Sequence, residues 1–159
     1  MHKLFFGLIS LSILLGCKRA PDLFFINDRE DFLYMVESTN VPPLRQDSAN
    51  YYLGSINKLK SGHIYRNFGV IEQNGFYSAN VFLVNDTLPH KRDYEFLLIT
   101  YDDKHNVIDS YSLATLDDNT NKLCVGSINS YLTISTICGN TKVVKEIDAM
   151  GNIREYSSW

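Results

Sequence analysis

Tyr94-Glu95-Phe96-Leu97-Leu98-Ile99-Thr100-Tyr101 is the stretch on which the fold turns. In an extended chain successive side chains point to opposite faces, so Phe96 and Leu98 fall on one side and Leu97, Ile99 and Tyr101 on the other. Both sides are apolar. Such a strand needs cover on both faces, which places it in the middle of a sheet.

On either side of it lie further runs of strand length, at 64–72 and 76–84, bounded like 94–101 by Gly, Asn, Asp or Pro, and at 107–113, 123–128, 131–138, 141–148 and 153–156. Short polar connections between consecutive runs make neighbours antiparallel. Asp102 with Asn106 and Val107 is echoed by Asp148 with Asn152 and Ile153, a shared turn grammar suited to bulged hairpins. Ahead of the strands, Asn27 with Glu30 reads as a capping box, and Phe32, Leu33, Met35 and Val36 suit one helical face, predicting a helix over 28–38. Pro42 and Pro43 forbid its continuation. Asp47 or Ser48 caps a second short helix carrying Tyr52, Leu53, Ile56 and Leu59, with Gly62 as its stop; the competing reading is an irregular loop entering a strand at His63. The expected fold is mainly β (α+β): an antiparallel β meander of about seven strands, sandwich- or barrel-like, with one or two short N-terminal helices.

The N-terminus has a different character. His2 and Lys3 precede an apolar run from Leu4 to Leu15. Twelve helical residues span roughly 18 Å, short of the roughly 30 Å hydrocarbon core, so the run reads as a signal-peptide segment. It ends in Leu14-Leu15-Gly16-Cys17, which resembles the lipobox of bacterial lipoproteins: an apolar residue three before a cysteine and a small residue directly before it. The resemblance implies diacylglycerol on the Cys17 thiol, cleavage after Gly16 and acylation of the new amino terminus by a palmitate-type chain. Cys17 is then a membrane anchor, because several acyl chains hold a protein stably where one does so only marginally. The alternative is an ordinary cleaved secretory signal with Cys17 as a free or disulfide-bonded thiol. Lys18 follows the anchor where enterobacterial retention in the inner membrane favours aspartate, so the expected location is the cell envelope, leaning to the outer membrane and facing the periplasm. The domain reading is a signal peptide at 1–16, a tether at 17–27 and one β-rich domain at 28–159.

Beyond Cys17 the chain has two cysteines, Cys124 and Cys138, and an exported protein favours their pairing as a disulfide. Geometry sets a condition. A two-residue hairpin loop at Asn129 and Ser130 makes Cys124 face Ser135 and forbids the bond. Directly opposed cysteines require a five-residue loop at 129–133 with Ile128 facing Ile134; a β-bulge, or adjacency by another route, is the alternative. Two thiols acting as metal ligands lack the paired Cys or His spacing of zinc sites.

Removing residues 1–16 leaves 143 of the 159, enough for one core. Loss of Lys3 takes the basic residues from 15 to 14 against 18 acidic ones, and no basic stripe argues for nucleic acid. No HExxH, GxSxG, glycine-rich phosphate loop or Cys-His pair is present, so neither a catalytic residue nor a cofactor is assigned. His63, His90 and His105 are scattered. Asp102 and Asp103 with Asp117 and Asp118 offer carboxylates on neighbouring loops that would bind a cation if they met at one end of the sheet, but turn chemistry explains them equally and no metal is assigned. Tyrosines 51, 52, 65, 77, 94, 101, 111, 131 and 156, with Trp159, supply either an exposed recognition patch or sheet core.

Anchored domains of this size resemble, in general design, periplasmic immunity proteins against rival toxins and lipoprotein inhibitors of lysozyme. The expected function is therefore a non-enzymatic envelope binding module, an immunity or inhibitor protein, whose partners are the membrane through its lipid and a protein or glycan of the envelope. The alternatives are an envelope hydrolase with an Asp/Glu acid-base pair, and a structural subunit of an outer-membrane assembly.

Overall fold

The computed structural model describes residues 22–56, 62–86, 93–117 and 119–156. Among them the chain forms β1 (Asp22–Ile26), α1 (Arg29–Ser38), α2 (Gln46–Leu53) with a 3-10 turn at Gly54–Ile56, β2 (His63–Gln73), β3 (Ser78–Asp86), β4 (Asp93–Tyr101), β5 (Val107–Asp117), β6 (Lys122–Asn129), β7 (Thr133–Cys138), β8 (Thr141–Ile147) and β9 (Ile153–Glu155). The nine strands make one antiparallel sheet in the order β2-β3-β4-β5-β6-β7-β8-β9, with β1 added to β6. The sheet is not closed.

β4 lies between β3 and β5, and every residue from Phe96 to Tyr101 is buried. Its two faces feed two cores. Phe96 and Leu98 join Ala79, Val81, Leu83, Leu113, Ile128 and Ile134 where the sheet curls over itself. Leu97, Ile99 and Tyr101 join Tyr65, Phe82 and Val84 on the other face, roofed by Ala49 and Leu53 of α2. The Tyr101 hydroxyl donates to the Tyr52 carbonyl at 2.8 Å, and burial pushes its ionisation up out of the ordinary range.

The curl has a local cause. A bulge in β5 at Leu113 breaks the β4–β5 register, and β5 pairs with β6 only through Thr115–Asp117. Past that point β6 takes β1 on the same edge, with Ile26 opposite Gly126 and Phe24 opposite Ile128. The Leu113 carbonyl, freed from the ladder, accepts the hydroxyl of buried Thr136 at 3.2 Å. At the far end of the sheet, the Ile153 N–H donates to an Asp109 carboxylate oxygen of β5 at 3.0 Å.

The expected tether at 17–27 is corrected here, since 22–26 is a strand of the sheet. Leu23 and Phe25 point outward, and Phe24 and Ile26 are buried. Burying a Phe or Ile side chain stabilises by about 1.5–3 kcal/mol, more than an unstructured tether can forgo. The helix caps also differ. α1 is capped by Asp28, which accepts from the Asp31 N–H at 2.9 Å, while Asp31 reaches back to the Asn27 N–H at 3.1 Å, one residue on from the expected Asn27 and Glu30 pair. α2 begins at Gln46 without a side-chain cap and ends at Gly54 rather than Gly62.

Cys124 and Cys138 are directly opposite and bonded, with Cα atoms 4.3 Å apart. Ile128 faces Ile134, the five-residue loop that the geometry demanded. Reducing this bond, or replacing both cysteines by serine, will lower unfolding free energy by about 3 kcal/mol, the entropy released when a loop of this length opens. Urea unfolding with and without reductant measures it. Two alkylatable thiols in native, air-exposed protein would count against the pairing.

Candidate functional site

Among the described residues an apolar cleft lies between β1 and β2, two edge strands of the open sheet. β2 is an edge strand with register shifts after Asn67 and after Val70, and these bend it away from β3. Its first half is covered, because the Leu44 N–H donates to the Tyr65 carbonyl at 2.7 Å. Further along, Phe68 to Ile71 face Leu23, Phe24 and Phe25 across a cleft of about 370 Å³, with Met35 and Val81 behind. Phe24 and Phe68 are fixed from below, each ring 5.3 Å from Phe96, and Phe32 of α1 packs on the same ring at 5.2 Å. The rim is mostly exposed side chains: Leu23, Phe25 and Val70. Among the described residues β1 forms a ladder only with β6 and β2 only with β3, so each has a second edge that no strand covers.

The residues that sequence reading singled out are distributed otherwise. Cys17, Lys18, His90, Asp118 and Trp159 lie outside the described residues. Asp102 and Asp103 sit in the β4–β5 turn and Asp117 is the last residue of β5, at opposite ends of an eleven-residue strand roughly 33 Å long. They do not meet at one end of the sheet, the condition a shared cation site would have needed. His63 stacks on Tyr65, and His105 packs against Tyr51 and Tyr101. The tyrosines divide: Tyr65, Tyr77 and Tyr101 are core, whereas Tyr51, Tyr131 and Tyr156 are exposed at separate places. Among the described residues no group of three His, Cys, Asp or Glu is placed to hold a metal ion, and no helix is long and apolar enough to cross a membrane.

The carboxylates are engaged by their own turns. Hydrogen bonds from the Asn106 side chain and backbone, then from the Lys104 N–H, hold Asp102 below the ordinary carboxylate range. The Thr120 hydroxyl and N–H do the same for Asp117. Burial opposes the charge on Asp148, but the N–H groups of Asn152 and Met150 and the Arg154 guanidinium, 2.8 Å away, outweigh it. A folded-state pKa depressed in this way gives stability that is present above the unfolded value of about 3.9 and is lost as pH falls through the folded one. The double variant Asp102→Asn/Asp148→Asn should melt lower than the parent at neutral pH and have a shallower acid limb below about pH 4. Melting profiles that run parallel at all pH values would sink this account. A general acid in glycoside chemistry needs its pKa raised, and the shifts at these three carboxylates run the other way.

The cleft residues Leu23, Phe25 and Val70 were not found from sequence. The available signal was the run Leu23-Phe24-Phe25-Ile26, too apolar for a solvated linker. The chain matches no protein-family model, and no curated protein and no solved structure is significantly similar to it. The class it defines is thus stated by its own geometry: a curled, open antiparallel sheet with an apolar cleft at its seam.

Proposed function

We propose that this chain is a lipid-anchored lipoprotein of the bacterial cell envelope, held through acylated Cys17 and leaning to the periplasmic face of the outer membrane. In this reading it is a binding module, of the immunity or inhibitor kind, that takes an extended apolar segment of a protein partner into the cleft between β1 and β2. The observation that carries it is the seam itself. Two strand edges offer backbone donors and acceptors to a third strand, and apolar side chains line the floor beneath it, the arrangement used by strand-addition binders.

The anchor and the cleft are tested separately. Metabolic labelling with a palmitate analogue should mark the parent and not Cys17→Ser, which should accumulate as precursor; label on Cys17→Ser would remove the anchor. For the cleft, a partner cross-linked in envelope membranes should be lost from Phe25→Lys/Val70→Lys, while amide exchange at 68–71 slows when that partner binds the parent. A partner retained by the variant, with exchange at 68–71 unchanged, would rule the cleft out.

A further inference from the structure

The four turns at one end of the sheet share an Asx-turn pattern, which the β5–β6 turn at the opposite end also uses, there with polar Asn119 two residues after Asp117. In an antiparallel meander alternate turns lie at the same end, which groups the β2–β3, β4–β5, β6–β7 and β8–β9 connections. Each opens with Asn or Asp, at positions 74, 102, 129 and 148, and the side chain of that residue accepts the N–H of the residue two further on. Those residues are Phe76, Lys104, Tyr131 and Met150. The distances are 2.8, 2.9, 2.9 and 2.9 Å in that order. In every turn the polar side chain is therefore spent on the turn's own backbone, and the residue carried at the tip is apolar in three turns and a lysine in the fourth. Phe76 is 66% exposed, Tyr131 76% and Met150 60%.

The tips belong to one surface. Ile147 donates its N–H to the Leu132 carbonyl at 3.1 Å, joining the β6–β7 turn to the β8–β9 turn. Gly151 lies so close to Tyr77 that an added Cβ would stand 3.0 Å from the Tyr77 Cβ, joining the β8–β9 turn to the β2–β3 turn.

The described chain begins at this end. Asp22 pairs with Asn129, the first residue of the β6–β7 turn. Only residues 18–21 separate Cys17 from Asp22, and five extended Cα steps reach at most about 18 Å. A lipid on Cys17 therefore leaves little room between this end and the bilayer. We propose that the end carrying Phe76, Tyr131 and Met150 sits in the interfacial layer of the membrane, with Lys104 toward lipid phosphates; the proposal rests on the lipid-anchor reading. Aromatic and thioether side chains partition into that layer while lysine reaches its phosphates, and turns whose N–H groups are satisfied internally enter it at low cost.

The test uses the mature, acylated full chain in phosphatidylcholine vesicles with brominated acyl chains as quencher. Trp159, the one tryptophan of the chain, is replaced by phenylalanine, and a single tryptophan is introduced as Tyr131→Trp, Phe76→Trp or Met150→Trp, or at the opposite end as Asn140→Trp. The three tip reporters should shift to the blue and lose most of their emission to the brominated lipid, and the Asn140→Trp reporter should do neither. Tip reporters unquenched in acylated protein, through a partner protein covering the end or through plain solvation, would overturn the proposal, as would equal quenching at both ends. Mass spectrometry before reconstitution separates the two failures: a chain without acyl groups on Cys17 removes the anchor itself, and this proposal with it.

Discussion

Gly126→Ala is expected to cost more than about 3 kcal/mol of unfolding free energy, beyond the usual overpacking range of about 1–3 kcal/mol. Gly126 stands where β6 passes from β5 to β1, opposite Ile26 on one side and Thr136 on the other. A Cβ built there falls well inside contact with the Leu113 carbonyl oxygen and 2.9 Å from its carbon. These are backbone atoms. No rotamer change moves them, and the same oxygen already accepts the buried Thr136 hydroxyl. Relief requires unwinding the β5 bulge, which aims that carbonyl and splits the sheet. Urea unfolding should give a much lower midpoint or no folded protein at all. A variant within about 1 kcal/mol of the parent would mean that β5 and β6 separate freely, against the packing described.

Leu98→Ala carries the second large effect, a loss of about 2–5 kcal/mol. Leu98 is fully buried in the central strand, opposite Val81 of β3 and Tyr111 of β5. Neighbours held in ladders on both sides cannot collapse into the space left, so the cavity persists. Val70→Ala is the contrast, because Val70 is exposed on the cleft rim and should shift stability by no more than about 0.5 kcal/mol. Equal losses from the two substitutions would contradict the central placement of β4.

What could be read in advance follows from how local its cause is. The two-faced apolar run at 94–101 needs only period-two alternation, and the structure divides its side chains between two cores as that alternation requires. Side-chain facing fixed the cysteine register only once the two cysteines were taken to pair, since a two-residue hairpin at Asn129 and Ser130 was equally open to the sequence. β1 escaped because its partner, β6, lies far along the chain and no turn connects the two. The α1 cap slipped by one residue because Asn27 with Glu30 and Asp28 with Asp31 have the same spacing, and sequence cannot rank them. The cleft was invisible because it depends on bulges in β2 and on the failure of the sheet to close, both products of tertiary packing. The Asp102 to Asn106 echo was legible as a turn. That Phe76, Tyr131 and Met150 share one end emerged only with the strand order.

The pairing of β1 with β6 also governs the time course of folding. Among the described residues every other ladder joins strands consecutive in sequence, which close quickly at small entropic cost, whereas Phe24 must find Ile128 about a hundred residues later. During synthesis the N-terminal strand emerges first and docks last. Until β6 is delivered, Leu23-Phe24-Phe25-Ile26 is an unpaired hydrophobic strand, the kind of segment that aggregates unless it is shielded. Completion of that one long-range ladder is then the slow step that contact order predicts, and a chaperone that recognises extended apolar chain would find its binding site at residues 22–26 for as long as the step takes.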